Sequence, residues 1–188
     1  MQREVIQDAE NYLGKKFPDS SSDAYLLLKF DGNSSEEIEK DYAKVARLCM
    51  EQGAKDVLIS DTEEREESIW KARGAFLEAI KGSTSYMDEV DMVVPRNCVN
   101  EMVEYLHSLQ KEADIRIKSF GHAGDGNLHA YILKDDLSQE EFEKRMGYAM
   151  EHVYQKAAKF GGKISGEHGI GFAKKNYLKE ALDPQIVT

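Results

Sequence analysis

The apolar residues of this chain alternate between two periodicities, and this alternation restricts the fold more than any other feature. Short apolar runs predict strands at residues 24–30, 57–59, 90–94, 115–117 and 128–132. Apolar residues spaced by three and four predict helices beginning near residues 5, 34, 62, 97 and 138. This order predicts an α+β fold: an antiparallel sheet with helices packed on one face, built from tandem ferredoxin-like strand–helix–strand units. A doubly wound parallel sheet is the alternative that the alternation leaves open.

The charge balance excludes several classes of partner. The 188 residues carry 35 acidic and 25 basic side chains, a formal net charge of −10, which argues against non-specific binding to nucleic acid or to an anionic membrane surface. No apolar stretch approaches the roughly 18 to 20 residues of a membrane span. Cys49 and Cys98 are too few for a disulfide scaffold or a thiolate metal site, so the sequence predicts a single domain in a reducing cytoplasm.

Glycine and histidine are concentrated in two short segments. Eight of the 14 glycines lie at 121–126 and 161–171, and three of the five histidines lie in or beside these segments. In the first segment His122 and His129 flank a glycine-rich turn that leads into a predicted strand, so the turn can bring both imidazoles together as metal ligands. An ordinary hairpin with incidental histidines is the simpler alternative. A phosphate-binding loop is less consistent, because such loops lead into a helix.

The second segment places a carboxylate and an imidazole side by side between glycines. On an extended backbone Glu167 and His168 point to opposite sides, so they can serve different tasks. Glu167 could complete a metal set with His122 and His129, and three protein ligands leave a position open for substrate. Imidazole ordinarily titrates near pH 6.5, about the value that suits a base at neutral pH, so His168 is the candidate for proton transfer.

The two segments together resemble a known family. Gly-His-Ala-Gly-Asp-Gly-Asn-Leu-His at 121–129 and Ser-Gly-Glu-His-Gly-Ile-Gly at 165–171 are similar to the paired signature of the C-terminal domain of FAD-linked oxidases, which include glycolate oxidases, D-lactate dehydrogenases and D-2-hydroxyglutarate dehydrogenase. Residues 69–73 and 89–96 also resemble this family. The resemblance covers nearly all of 1–188 and identifies the chain as the substrate-binding or cap domain, a fragment that lacks the N-terminal FAD-binding domain.

The resemblance implies roles for individual residues. His122, His129 and Glu167 match the ligands of a divalent metal, zinc first, with iron or manganese as alternatives. His168 matches the base that takes the hydroxyl proton of a 2-hydroxy acid while the α-hydrogen leaves as hydride to the flavin. Arg73 matches the arginine that holds the substrate carboxylate, a task that suits a bidentate guanidinium.

The resemblance also implies partners and a limit on the substrate. Asn127 lies inside the first motif and is expected to face the flavin or the substrate. Some relatives place a lysine where this chain has Glu89, so a second substrate carboxylate loses its partner and glycolate or D-lactate fits better than a dicarboxylate. An iron–sulfur subunit or an electron-transfer flavoprotein would accept the electrons. The isolated fragment, which stops as a new segment begins at 182–188, is expected to be inactive.

Two other function classes remain open at this level. A metal-dependent hydrolase would use the same His122, His129 and Glu167 to activate water, with His168 as its acid/base. A non-catalytic, metal-stabilised binding module would need neither Arg73 nor His168. Elsewhere, Trp70 and Phe76 are predicted core residues of one helix, whereas His107 and His152 lie among polar neighbours and are predicted to face solvent.

Overall fold

The structure is a computed structural model that describes residues 1–19, 21–171, 174, 175 and 177. The segment expected to begin at 182–188 lies outside these residues. Arg96–Cys98 forms a 3₁₀ turn near residue 97, where the sequence predicts the beginning of a helix. The helices are α1 (Arg3–Leu13), α2 (Ser35–Glu51), α3 (Glu63–Gly74), α4 (Phe76–Gly82), α5 (Val99–Glu112) and α6 (Gln139–Lys159), and the strands are β1 (Met87–Val93), β2 (Ile117–His122) and β3 (Asn127–Leu133).

The sheet is antiparallel, with β3 in the centre and the order β1-β3-β2. Helix α5 connects β1 to β2 and leaves room for β3 between them, which is the split arrangement of ferredoxin-like folds. Lys163 forms a bridge with Val93 on the outer edge of β1, where a fourth strand would lie. The predicted α+β class is confirmed, and the parallel alternative does not occur among the described strands.

Helices cover both faces of this sheet, not one face as predicted. On one face, α5 and α6 pack over Val90, Met92, Leu128 and Ile132. On the other face, α1 and α4 pack over Phe120, Tyr131 and Leu133. The reason is visible in β3, where every residue is buried: a strand enclosed on both sides needs covering elements on both sides.

Helices α2 and α6 begin where the sequence predicts, directly after residues 34 and 138. The Ser34 and Ser138 hydroxyls accept hydrogen bonds from the backbone N–H groups of Glu37 and Glu141, which satisfies donors that the first helical turn leaves free. The helix predicted from Thr62 to Gly82 is divided at Ala75 into α3 and α4. Phe76 is buried as predicted, but Trp70 is 49% exposed, because the break removes Trp70 from the face that α4 buries.

The two strands predicted before β1 do not form. Residues 25–30 and 57–59 have no strand assignment, and Leu26 is 66% exposed. Helix α2, which lies between these segments, buries none of its residues. The edge of β2 is taken by Gln2, whose backbone N–H donates to Ser119 O and whose side-chain Oε1 accepts from Ser119 N–H, while the edge of β1 is taken by Lys163. Ala24, the first residue of the run predicted at 24–30, forms an isolated antiparallel bridge with Gln2, but residues 25–30 do not continue it as a strand.

No helix among the described residues has the length and apolar character needed to cross a membrane.

Candidate metal and substrate site

The site lies on the sheet face that α1 and α4 cover. Alternate residues of a strand point to the same side, so Glu89 and Asp91 of β1 share this face with His129 and Tyr131 of β3. The antiparallel register sets Asp91 opposite His129 and Glu89 opposite Tyr131. Strand pairing thus brings two carboxylates and an imidazole together on a largely buried surface.

The first glycine–histidine segment is the hairpin between β2 and β3. Asp125 N–H donates to His122 O at 3.0 Å, which closes the turn. Gly126 has φ +74°, and a Cβ there would lie 2.0 Å from Val94 O, so the tight approach of the hairpin to β1 requires glycine. His122 ends β2 and its ring centroid lies 6.4 Å from that of His129. The turn therefore brings the two imidazoles together.

The second glycine–histidine segment is anchored to β1 by Asp91, whose side chain has no solvent exposure. Its Oδ1 accepts from the Asn127 side-chain amide at 2.9 Å. Its Oδ2 accepts from the backbone N–H groups of Gly166, Glu167 and His168 at 2.9, 3.0 and 2.9 Å and from the Ser165 hydroxyl at 3.1 Å. One buried carboxylate therefore fixes the backbone from which Glu167 and His168 project.

Gly166 makes this anchor possible. A Cβ at this position would lie 1.7 Å from the Asn127 side-chain nitrogen and 2.8 Å from Asp91 Oδ1. A substitution would displace the hydrogen bond between Asn127 and Asp91, because both atoms belong to side chains held in a buried network. The glycine next to Glu167 is a packing requirement of the site.

His122, His129 and Glu167 converge as a candidate set of metal ligands. Glu167 Oε1 lies 2.9 Å from His129 Nε2 and 3.9 Å from His122 Nε2, and one ligand atom from each residue lies within 4.8 Å of the others. Two imidazole nitrogens and one carboxylate oxygen suit zinc and also iron or manganese. His129 is 3% exposed while the other two side chains are about half exposed, so the set opens toward solvent on one side.

A second group shares His129 and was not recognised in the sequence. Glu89 Oε1 lies 3.1 Å from His129 Nδ1 and 3.0 Å from His168 Nδ1. The rings of His129 and His168 stack with centroids 4.7 Å apart and planes 21° apart. His129 is therefore in contact with one carboxylate at each ring nitrogen, Glu89 at Nδ1 and Glu167 at Nε2.

The carboxylates set the charges of this cluster. Burial favours the neutral ring of His129, but Glu89, with smaller contributions from Asp91 and Glu167, raises its pKa. Burial likewise opposes ionisation of Glu89, but the contact with His129 and the charge of His168 hold its pKa below the usual value. For Asp91 burial is outweighed by the hydrogen bonds that it accepts, and its pKa falls to about 2. Lys174 Nζ lies 3.8 Å from Asp91 Oδ2 and offsets part of this charge, but Glu89 and Glu167 leave the cluster anionic unless a further cation or protons compensate it.

Arg73 supplies a cation that lines a cleft together with the histidine cluster. Its guanidinium lies over the rings of Phe120 and Phe76, 4.8 and 5.6 Å from their centroids, and it forms no ion pair with the described residues. A cleft of about 240 Å³ lies between the arginine and the histidine cluster, and the residues that line it include Arg73, His122, His129, Glu167 and His168. This volume suits a small molecule, and the free guanidinium suits its anionic group.

The structure thus brings five of the six predicted site residues to one cleft. The sixth, Asn127, is 5% exposed and donates to Asp91 behind the cleft, so its expected contact with flavin or substrate stays a prediction. The sequence did not indicate Asp91 as a site residue, and it connected Glu89 with the site only as the position where some relatives have a substrate-binding lysine. The sequence contained an indication of both, because Glu89, directly before the strand predicted at 90–94, and Asp91 within it alternate with apolar residues, and a carboxylate enclosed in a sheet needs a partner.

The fold and the site together define a class of protein. It is an antiparallel α+β domain with a cleft lined by histidines, a carboxylate and an arginine. Comparison with known proteins gives the family: the pattern of "FAD linked oxidases, C-terminal domain" matches residues 1–188. The chain belongs to this family.

Individual relatives agree with this assignment. The chain is 48% identical to a D-lactate dehydrogenase of Anaerostipes hadrus over 98% of its length. It is 36% identical to the glycolate oxidase protein GlcD of Bacillus subtilis over 87% of its length and 33% identical to D-2-hydroxyglutarate dehydrogenase of Stutzerimonas stutzeri over 85%. The chain spans 40, 34 and 35% of these relatives.

Proposed function

We propose that this chain is the substrate domain of an FAD-dependent dehydrogenase or oxidase for a small 2-hydroxy acid of the D-lactate or glycolate type. The observation that carries the proposal is the cleft, which is lined by Arg73, by His168 and by the set of His122, His129 and Glu167. The family assignment supports the same chemistry. FAD would be bound mainly by a part of the longer protein outside this chain and would accept the hydride.

Arg73 binds the substrate carboxylate in this proposal. The Phe76 and Phe120 rings lie against its guanidinium and contact its π face, whereas its N–H donors point outward in its plane and form no ion pair with the described residues, so they can bind a planar anion. The net negative charge of the chain makes this cation important, because an anionic substrate has to approach Glu167 and Glu89. A monocarboxylate needs only this one arginine.

His168 takes the hydroxyl proton. Its Nδ1 faces Glu89 at 3.0 Å, and its Nε2 lies 3.8 Å from Glu167 Oε1 at the wall of the cleft. A proton acceptor beside the hydroxyl allows the oxygen to form a carbonyl as the α-hydrogen leaves with its electron pair. The backbone of His168 is held by Asp91, so the imidazole starts from a fixed position.

His122, His129 and Glu167 would hold a divalent metal, which would act as a Lewis acid that acidifies the substrate hydroxyl. The fit is supported by the donor types, by the convergence of their ligand atoms and by the negative charge of the cluster. The open side of the set faces the cleft, so the substrate oxygens can approach it. Zinc is the first expectation for this set of ligands.

Replacement of Arg73 by alanine tests the proposed function in the full-length protein. D-lactate or glycolate should reduce the flavin of the wild type, and a dicarboxylate should do so poorly. Arg73→Ala should raise KM by about 10- to 100-fold, the cost of one charge-assisted, bidentate contact. Arg65→Ala, in the same helix but paired with Asp61 on the surface, is the matched control. An unchanged KM in Arg73→Ala would remove the arginine from the substrate site.

Replacement of His122 by alanine tests the metal set. Purified full-length wild type should contain one equivalent of metal by elemental analysis, and His122→Ala should contain much less, because two protein ligands remain. His152→Ala, which removes an exposed histidine of α6 that does not line the cleft, should keep its metal. Equal metal content in wild type and His122→Ala would exclude His122 as a ligand.

The same experiments separate the other function classes. A metal-dependent hydrolase would keep its metal but would not transfer electrons from a 2-hydroxy acid to flavin. A binding module would lose no activity in Arg73→Ala. An iron–sulfur subunit or electron-transfer flavoprotein as electron acceptor, and a cytoplasmic location, belong to the proposal as consequences of the family resemblance.

A further inference from the structure

Glu89 lies between the two stacked histidines of the site and contacts both with one oxygen. We propose that Glu89 is a positioning residue that fixes the ring orientation and the tautomer of His129 and of His168, so that each presents Nε2 to the cleft. The part of this inference that concerns His168 rests on the proposed function. The part that concerns His129 rests only on the contacts of the buried cluster.

The contacts of His129 favour Glu89 as its partner over Asp91. Glu89 Oε1 is 3.1 Å from His129 Nδ1, whereas Asp91 Oδ1 is 3.7 Å away. Both oxygens of Asp91 already accept hydrogen bonds from other groups. Glu89 Oε1 and His129 Nδ1 are buried atoms that form no hydrogen bond of standard geometry with the described residues, although they lie 3.1 Å apart and the same oxygen lies 3.0 Å from His168 Nδ1. A proton on Nδ1 satisfies both atoms, which would otherwise be costly to bury.

The proton on Nδ1 determines whether Nε2 of His129 has a lone pair available for a metal ion. A neutral imidazole carries one N–H, so a proton on Nδ1 leaves the lone pair on Nε2. Nε2 is the atom that lies 2.9 Å from Glu167 Oε1, within the candidate set of metal ligands. A carboxylate behind a ligating histidine is a common way to orient the ring and raise its basicity.

The same oxygen acts on His168 in the same way. Glu89 Oε1 lies 3.0 Å from His168 Nδ1, so a proton on Nδ1 again leaves a lone pair on Nε2. His168 is 45% exposed, and packing alone does not hold its ring. The stacking on His129 and the contact with Glu89 are the interactions that restrict this ring among the described residues.

Glu89 itself is held by the sheet. It lies within β1, opposite Tyr131 of β3, and its side chain is 29% exposed. Burial, together with the negative charge of Glu89, raises the pKa of the Tyr131 hydroxyl, which therefore remains a donor at neutral pH. A cationic side chain at this position could donate but not accept, and the two imidazoles would lose their common acceptor.

The experiment compares Glu89→Leu with Glu89→Gln in the full-length protein. Leucine keeps the approximate size but removes the acceptor, and we expect zinc affinity and kcat to fall by about 10- to 100-fold with little change in KM. Glutamine keeps one acceptor oxygen, and we expect it to recover zinc affinity to within about 5-fold of wild type, since neutral hydrogen bonds are weaker than charge-assisted ones. Glu64→Gln, an exposed position of α3, is the control.

A direct readout is the ¹⁵N NMR spectrum of the histidines in metal-free protein. Because the neighbouring carboxylates raise the pKa of His129, the spectra are recorded at a pH high enough for the rings to be neutral, where wild type should show more of the Nδ1–H tautomer and Glu89→Leu more of Nε2–H. Unchanged tautomers and zinc affinity in Glu89→Leu would overturn the proposal. A rise in KM alone would assign Glu89 to substrate contact. Two zinc equivalents in wild type, of which Glu89→Leu keeps one, would contradict the single site proposed above and make Glu89 a ligand in the group with His129 and His168. If wild type does not oxidise 2-hydroxy acids, the proposed function fails, while zinc affinity and NMR still test Glu89.

Discussion

Replacement of Asp91 by alanine is expected to abolish metal binding and 2-hydroxy-acid oxidation together and to lower the free energy of unfolding by about 3 kcal/mol. The side chain is fully buried and accepts hydrogen bonds from Ser165, Gly166, Glu167, His168 and Asn127. Each donor left unpaired costs about 1 to 3 kcal/mol, but the backbone donors are only partly buried, so water recovers much of this cost.

The functional loss exceeds what the loss of stability alone would cause. Without Asp91 the backbone from 165 to 168 loses the hydrogen bonds that fix it, so Glu167 and His168 no longer hold their positions relative to His129. Catalysis depends strongly on such positions, and a displacement of about 1 Å can cost a factor of 100. The proposed metal site thereby loses its carboxylate ligand, Glu167, which contacts His122 and His129.

Amide hydrogen exchange gives the measurement for Asp91. The N–H groups of Gly166, Glu167 and His168 should be protected in wild type and exchange rapidly in Asp91→Ala, while β3 remains protected. If the alanine variant does not fold, Ser165→Ala removes a single donor and should produce a small change in the same direction. Asp136→Ala, a substitution after the end of β3, serves as control. Unchanged protection in a folded Asp91→Ala protein would contradict the anchoring role.

Local signals in the sequence were sufficient for much of the fold and most of the site. Ser34 and Ser138 begin α2 and α6 because capping is decided by a few neighbouring residues. The hairpin that unites His122 and His129 was predictable because glycine is required where the backbone has positive φ and a close neighbour, as at Gly126. These features depend on residues close together in the chain.

The errors come from features that depend on distant residues. The runs at 24–30 and 57–59 have the composition of strands, but a strand forms only where a sheet edge can pair with it, and Gln2 and Lys163 already lie at the two edges. Helices on both faces follow from the burial of Tyr131 and Leu133, which the pattern of β3 shows only after its pairing is known.

The roles of Glu89 and Asp91 illustrate the same distinction within the site. Their alternation on β1 places both on one face, but the sequence does not show which strand lies opposite. The strand register sets Asp91 opposite His129. This register shows Asp91 as the residue that anchors the second glycine–histidine segment, and it brings His129 within reach of Glu89. Glycine–histidine motifs identified the groups at the cleft, whereas the carboxylates that position them required the structure.

Replacement of His168 by alanine should lower kcat for the 2-hydroxy acid by about 10²- to 10⁴-fold, the usual contribution of a positioned base. Stability and metal content should remain those of wild type, because the bond from the His168 backbone N–H to Asp91 does not depend on the side chain. This separates the variant from Asp91→Ala, in which all three properties should fall.

The decisive measurement is the rate of flavin reduction in a single turnover, with metal content determined on the same preparation. A rate within about 3-fold of wild type would be too small an effect for a base and would favour a binding or structural role for the second glycine–histidine segment. Loss of metal to the level of His122→Ala would instead make His168 a ligand in the group with Glu89 and His129. A slow rate with full metal content is the result that the geometry predicts, because Nδ1 of His168 faces Glu89 while its side chain lines the substrate cleft.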